Sequence, residues 1–235
     1  MIDTHSHILF GIDDGSRSIE ESIQILKNYN KIGIKNIILT PHYINGSSYV
    51  SSKDNNLIIL DMLRKELKNY NIDTNLYLGN EIYIDNEIEE LLKQNKISSL
   101  NNTEYLLIEL PMSGEWENYL DLFLDLINVG YKVVLAHPER YASFQRDFNK
   151  IYELSEIGVL FQCNIGSLIG DYGKHSKKTI KRMLKEKMVY MFGTDIHRNK
   201  SDYSFLEEAK QKLNKYLDKN EIQDVLINNA SKLLR

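Results

Sequence analysis

Five of the six histidines in this 235-residue chain, His5, His7, His42, His137 and His197, come just after short apolar runs of β character. Carboxylates take similar positions: one of Asp13 and Asp14 after the first run, then Glu81, Glu109 and Asp195 at or beyond the ends of later ones. His5 and His7 are two residues apart, so on an extended chain both side chains point the same way and can reach one metal ion. Imidazoles mixed with carboxylates suit divalent transition metals, and the carboxylates move the balance toward manganese or iron. The set is too large for one ion and fits two or three ions with bridging carboxylates. Ions clustered about 3.5–4 Å apart can activate a water while gripping a phosphoryl oxygen. Glu109 lies between Ile108 and Leu110 in an apolar run, where a buried carboxylate is costly unless paired or metal-bound. The single cysteine, Cys163, excludes disulfides within the chain and a two-cysteine zinc site, and it reads as a core residue. No Ser-His-Asp pattern competes.

The elements that position these groups are legible. Strand-like runs cover Met1 to Thr4, Asn36 to Thr40, Asn75 to Leu78, Tyr105 to Leu110, Lys132 to Ala136, Val159 to Cys163 and Val189 to Phe192. They are continuously apolar, as parallel strands buried on both faces should be. Amphipathic stretches alternate with them. Ser18 to Glu21 reads as a capping box opening a helix that Gly33 closes. Further helices are expected over Lys53 to Tyr70, Asn86 to Gln94, Glu115 to Asn128, Asp147 to Ile157 and Ser176 to Lys187, then two more between Ser204 and Leu234, parted near Asp218. Strand–helix alternation suggests an α/β barrel or an open doubly wound sheet. An open sheet gathers ligands at one crevice, whereas a barrel brings every strand end to one rim. Nearly every strand here ends in a polar candidate, so a barrel of seven strands is predicted.

Composition bounds the rest. Three prolines and twelve glycines, thinly spread, give no linker, so one domain over residues 1–235 is expected. A net charge of −4 argues against a nucleic-acid partner. No basic leader with an apolar stretch and no run of membrane-spanning length is present, and the chemistry-bearing residues begin at position 3, so a cytoplasmic protein is expected. His175 and the lysines from Lys174 to Lys181 read as a solvated helix face, with a chance of meeting an acidic or phosphorylated partner.

Taken together, Asp3/His5/His7, Thr40-Pro41-His42, Glu81, His137 and Asp195/His197 resemble the polymerase-and-histidinol-phosphatase (PHP) superfamily of metal-dependent phosphoesterases. The stretches Met1 to His7, Gly11 to Gly15, Ile108-Glu109 and Ala136 to Tyr141 are similar to its bacterial tyrosine-phosphatase branch, which acts with capsule and exopolysaccharide tyrosine kinases. The resemblance covers essentially the whole chain. It implies a distorted (β/α)₇ barrel holding three ions, manganese first, with iron, zinc or magnesium as alternatives. It selects Asp14 over Asp13 and assigns His5, His7, Glu81 and Asp195 to the first ion. The second would take a bridging Glu81 with Glu109 and His137, and the third Asp14, His42 and His197. The implied reaction is hydrolysis of phosphotyrosine, on the tail of a tyrosine kinase, by a metal-activated hydroxide. The alternative is a small-molecule phosphatase resembling the histidinol-phosphate enzymes. Arg140 offers a planar fork for phosphate. The branch places a second phosphate-binding arginine beyond the last Asp-x-His motif; here either Arg198 or Lys200 substitutes, or the phosphate is held more weakly. Asp3 either orients a ligand or forms a cap or turn. Rim tyrosines such as Tyr43, Tyr49, Tyr141 and Tyr172 line a groove or pack.

Overall fold

The expected strands form, and two more form with them. In the computed structural model, which describes residues 1–234, the strands are β1 (Ile2–Asp3), β2 (Asn36–Leu39), β3 (His42–Tyr43), β4 (Asn75–Leu78), β5 (Glu81–Tyr83), β6 (Tyr105–Glu109), β7 (Lys132–Ala136), β8 (Leu160–Asn164) and β9 (Met191–Gly193). All pairings are parallel, in the orders β1-β2-β4 and β3-β5-β6-β7-β8-β9. The two additional strands are continuations. Asn36 pairs with Asn75 and His42 with Glu81, the same offset, so β2–β3 and β4–β5 are two long strands in one register. Pro41, which has no N–H to give a ladder, and the Gly79–Asn80 pair break them at the same level. Glu81 N–H bridges the break by donating to Pro41 O (3.2 Å).

Seven strands result, and their ends close on themselves. Asp195 N–H donates to His5 O (2.8 Å), His7 N–H donates to Ile196 O (2.9 Å), and Ser6 bridges Ile196 in parallel. Asp3 locks this seam from below: its carboxylate accepts from Thr194 N–H (2.9 Å), Thr194 Oγ1 (2.7 Å) and Tyr29 Oη (3.0 Å). Asp3 therefore ties the first strand to the last, and it also accepts from the His5 N–H (3.4 Å).

The alternation of side chains decides what sits inside. Tyr105 and Leu107 on β6, Val134 and Ala136 on β7, Ile38 and Met191 form an apolar plug within the barrel, capped from below by Leu233. Leu106, Ile108, Val133, Leu135, Phe161 and Phe192 face outward onto the helices. Both faces are buried, which is why the strands read as unbroken apolar runs. Glu109, two residues past Leu107, continues the inward column and reaches the rim.

The helices are α1 (Ile19–Lys31), α2 (Lys53–Asn69), α3 (Ile88–Lys93), α4 (Leu120–Asn128), α5 (Ala142–Arg146), α6 (Asn149–Glu156), α7 (Gly173–Lys185), α8 (Ser204–Leu213) and α9 (Lys219–Gln223); most follow the expected ranges, but α4 starts five residues late, after a 3-10 turn over Trp116–Tyr119, and the short α5 falls outside them. Ser18 caps α1, but Glu21 does not close the box; its carboxylate accepts from Arg17 N–H and pairs with Arg198. A complete box does form at Asp218 and Glu221, where the C-terminal helices part. Among the described residues, no helix is long and apolar enough to cross a membrane.

Two glycines let the strand ends approach the histidines. A Cβ on Gly193 would lie 2.5 Å from His5 Cβ, and one on Gly15 would lie 2.1 Å from His7 O. Gly193→Ala is expected to cost about 1–3 kcal/mol through overpacking, a fall in Tm of roughly 3–10 °C at this size. An unchanged melting curve would show that the last strand does not press on His5.

Candidate metal centre

The residues gathered at the rim meet around Glu81. His5 and His7 follow β1, and their Nε2 atoms lie 3.1 Å apart. Two nitrogens about 2.0–2.1 Å from one ion would be separated by roughly that distance. Glu81, at the start of β5, places Oε2 3.2 Å from His5 Nε2, 3.2 Å from His7 Nε2 and 3.1 Å from His42 Nδ1. None of these approaches has the alignment of a hydrogen bond, so Glu81 Oε2 and His42 Nδ1 are buried without a hydrogen-bond partner among the described residues. Asp195 Oδ1 completes this side at 3.6 Å from His5 Nε2 and 3.4 Å from His7 Nε2.

On the other side of Glu81, His137 Nε2 is 2.8 Å from Glu81 Oε1 and 3.7 Å from Glu109 Oε1. Glu109 Oε2 is also 3.7 Å from His42 Nδ1. Toward solvent, Asp14 Oδ1 lies 3.7 Å from His42 Nε2 and 3.4 Å from His197 Nε2. Ligand atoms fall within 4.8 Å of one another in three overlapping groups: His5, His7 and Glu81; His42, Glu81 and Glu109; and His7, Asp14, His42 and His197.

The outward nitrogens are held in a pattern suited to metal ligation. His5 Nδ1 donates to Gln162 Oε1 (2.8 Å), His7 Nδ1 to Asp13 Oδ2 (2.7 Å) and His197 Nδ1 to Asp195 O (3.0 Å). In the neutral imidazole each bond puts the proton on Nδ1 and leaves Nε2 bare and aimed inward, as a ligating imidazole requires. Asp13 and Asp14 thus divide their work. Asp13 is buried and also accepts from the backbone of His42 and Gly15, while half-exposed Asp14 faces the outer histidines. Asn164, at the end of β8, donates Nδ2 to Asp195 Oδ2 (2.7 Å). Gln162 carries the signal that marks Glu109, a polar side chain within an apolar strand, and the sequence reading passes over it. Two ligand positions have left-handed backbones, His137 (φ 34) and Asp195 (φ 54). Strain of this kind persists where the surroundings over-determine a functional geometry.

Arg140 does not pair with Glu139 or Asp147. Its Nη1 donates to Asp195 Oδ2 (2.7 Å), its guanidinium lies over the Tyr172 ring (4.6 Å), and it has no other hydrogen bond among the described residues. Glu139 points the other way, accepting from Asn164 N–H and Ser167 Oγ. Arg198 turns toward α1 and pairs with Glu21 (3.2 Å), while Lys200 pairs with Asp171 (3.2 Å). Both still line a cavity of about 250 Å³ beside Asp195 and His197. Of the rim tyrosines, Tyr49 stacks on His42 and Tyr172 reaches Asp195, whereas Tyr43 and Tyr141 are buried in the core.

The electrostatics describe a site built for cations. Burial depresses His5, yet the neighbouring Glu81 and Asp195 carboxylates prevail and push it up to about 9. Burial, and then the Glu81 charge, push Glu109 up to about 8. Against its burial, the His5 and His42 charges hold Glu81 well below the usual carboxylate range. Burial lowers His137 and His42. The facing nitrogens of His5 and His7 are too close for both to carry protons, so the metal-free centre holds a small number of shared protons where ligands must be bare. The donor set, the fixed tautomers and the unpartnered Glu81 and His42 atoms fit divalent ions. Adding Mn²⁺ to the metal-free protein at pH 7 is therefore expected to expel about one or two protons, with apparent affinity rising from pH 6 to pH 9. Calorimetry in buffers of different ionisation enthalpy reads this number; no proton release would contradict the arrangement.

Comparison with known proteins agrees with this geometry. A family model described as capsular polysaccharide synthesis, CpsB/CapC, matches residues 1–235. The tyrosine-protein phosphatase YwqE of Bacillus subtilis is 35% identical over 235 residues, covering 100% of this chain and 92% of that protein. A chain from the crystal structures of YwqE from Bacillus subtilis and CpsB from Streptococcus pneumoniae, described as metal-dependent tyrosine phosphatases, superposes with a TM-score of 0.85 at 33% identity, over 94% of this chain and 90% of that one. The histidinol phosphate phosphatase of Lactococcus lactis, solved with zinc, L-histidinol and phosphate, shares the fold at a TM-score of 0.61 and 14% identity, over 92% of this chain and 93% of that one. The chain belongs to the CpsB/CapC family of capsular polysaccharide synthesis.

Proposed function

We infer that this protein is a metal-dependent protein-tyrosine phosphatase. The observation that carries the reading is the buried Glu81 carboxylate set among three imidazole nitrogens at 3.1–3.2 Å, beside an arginine with donors to spare. Three ions, manganese first, suit this donor set, with His137 taking the place of His42 beside Glu81 and Glu109 and His42 joining the outer group. His5, His7, Glu81 and Asp195 would hold one, Glu81, Glu109 and His137 a second, and Asp14, His42 and His197 a third. When bound, such ions supply an activated water at neutral pH and charge neutralisation on the phosphoryl oxygens.

The chain's own residues do the rest. Arg140, fixed by Asp195, presents its remaining N–H groups to a phosphate and fixes its orientation. Tyr172 and Tyr49 flank the mouth, where an aromatic leaving group can pack. A tyrosine leaving group has a pKa near 10, so its departure needs only modest proton donation. His42 and His197, beside Asp14 at the solvent side of the centre, would hold an ion that supplies charge neutralisation near the leaving oxygen in place of that proton. Asp13, Gln162 and Asn164 keep the ligands aimed, and Gly15 and Gly193 keep the backbone close. The substrate is a phosphotyrosine protein, the tail of a bacterial tyrosine kinase in capsule or exopolysaccharide synthesis, met in the cytoplasm.

A kinetic comparison of a phosphotyrosine peptide with histidinol phosphate tests the reading. The peptide is expected to have the higher kcat/KM, activity is expected to vanish on chelation and return with Mn²⁺, and His137→Ala is expected to abolish turnover while the protein stays folded. Clear preference for histidinol phosphate would move the protein to the small-molecule class. Arg140→Lys keeps the charge but loses the planar fork, so kcat/KM should fall about 10²-fold. Unaltered kinetics would take Arg140 out of the phosphate site.

A further inference from the structure

Helix α7 carries a stripe of cations that the metal centre does not use. Lys174, Lys178, Lys181 and Lys185 recur at i, i+4, i+7 and i+11, on the side opposite the buried Ser176, Thr179, Ile180, Met183 and Leu184. Lys177 and Arg182 flank the stripe, and the six side chains wall an open groove of about 450 Å³. Six of the chain's 29 Lys and Arg residues thus sit in one 13-residue helix that contains no acid, although the chain as a whole is net negative. Lys174, Lys178, Lys181 and Lys185 form no ion pair with any described residue.

The arrangement is unfavourable within the protein. Like charges at i and i+4 repel, at Lys174/Lys178, Lys177/Lys181, Lys178/Arg182 and Lys181/Lys185. Cations also crowd the positive end of the helix dipole, where α1, α2 and α8 place Glu20 and Glu21, Asp54, and Glu207. An external anion would relieve both effects.

We propose that this stripe docks an acidic segment of the phosphotyrosine substrate, next to the residue being dephosphorylated. This rests on the phosphatase reading above. The stripe begins at the rim: Tyr172, just before α7, contacts both Arg140 and Asp195, and Ser176 accepts from Gln145. From there it runs down the outer wall for about 16 Å, the length of about five extended residues. The lysine steps of about 4.5–6 Å along the helix approach the spacing of alternate side chains on an extended peptide, about 6.6–6.8 Å. An anionic membrane surface fits less well. The exposed large apolar side chains, Val50, Leu57, Ile58, Met62, Tyr70, Met112 and Val129, all lie outside α7, so the helix has nothing to insert into a bilayer.

The test compares two phosphotyrosine peptides of equal length, flanked on either side by five glutamates or five glutamines. The Mn²⁺-loaded enzyme should favour the glutamate peptide about tenfold in kcat/KM, chiefly through KM, and lose the preference in 0.5 M NaCl. The quadruple variant Lys174→Gln, Lys178→Gln, Lys181→Gln, Lys185→Gln should treat both peptides alike, hydrolyse free phosphotyrosine as the parent does, and melt no lower because repulsion is relieved. Equal treatment of the peptides by the parent enzyme would overturn the proposal, as would a preference that survives in the variant. Stripe-dependent co-sedimentation with phosphatidylglycerol vesicles without peptide discrimination would also overturn it, in favour of a membrane surface. Free phosphotyrosine hydrolysis checks the phosphatase reading separately, and fluorescence anisotropy of an unphosphorylated glutamate peptide reads the stripe even if that reading fails.

Discussion

Everything at the barrel mouth depends on burying the Glu81 carboxylate among imidazoles. A carboxylate taken out of water is expensive, and attraction to neighbouring charges offsets that cost only in close, well-supported geometry. Here the support comes from every direction. His5 and His7 approach from the first strand, His42 from the second and His137 from the fifth. Two of the buried polar atoms without a hydrogen-bond partner among the described residues, Glu81 Oε2 and His42 Nδ1, face each other. A protein optimised only for stability would not keep them so. A protein that holds cations between them would.

The barrel seam follows from the same constraint. His5 and Asp195 must stand side by side, and their backbones are hydrogen-bonded to each other across the closure. Below them, Asp3 takes hydrogen bonds from Thr194, Tyr29 and the His5 backbone, so one buried carboxylate fixes both sides of the closure. The left-handed backbone at Asp195 lies within this frame, its N–H held by His5 O. Site and fold closure are therefore one structure, and loosening either loosens the other.

The outer surface divides into a centre that attracts cations and, beginning beside it, a helix that attracts anions. A phosphotyrosine peptide is compatible with both. In the proposed complex its phosphate would meet the rim and Arg140, and its flanking acids would meet α7. With six cations and no acid, α7 stands out on a chain that is net negative.

Much of this was legible in the sequence. The apolar runs located the seven strands because a barrel strand is buried on both faces, and the recurrence of histidine after them located the rim. Glu109 stood out because an acid inside an apolar run needs a partner. What the sequence could not express were relations across distance. Pro41 and Gly79 read as strand ends, yet both lie within strands that continue in register, because pairing with a neighbour outweighs local preference. Asp13 and Asp14 are indistinguishable by type, and only the packing of the turn against His7 gave one to support and the other to the rim. The same holds for Gln162 and Asn164, for the pairing of Arg140 with Asp195, and for Arg198, which is drawn to Glu21 on α1. Residue type and periodicity determined which chemistry was possible and where the strands ran. Tertiary structure alone decided which side chain holds which, because hydrogen bonds and ion pairs depend on distances of a few ångströms between groups far apart in sequence.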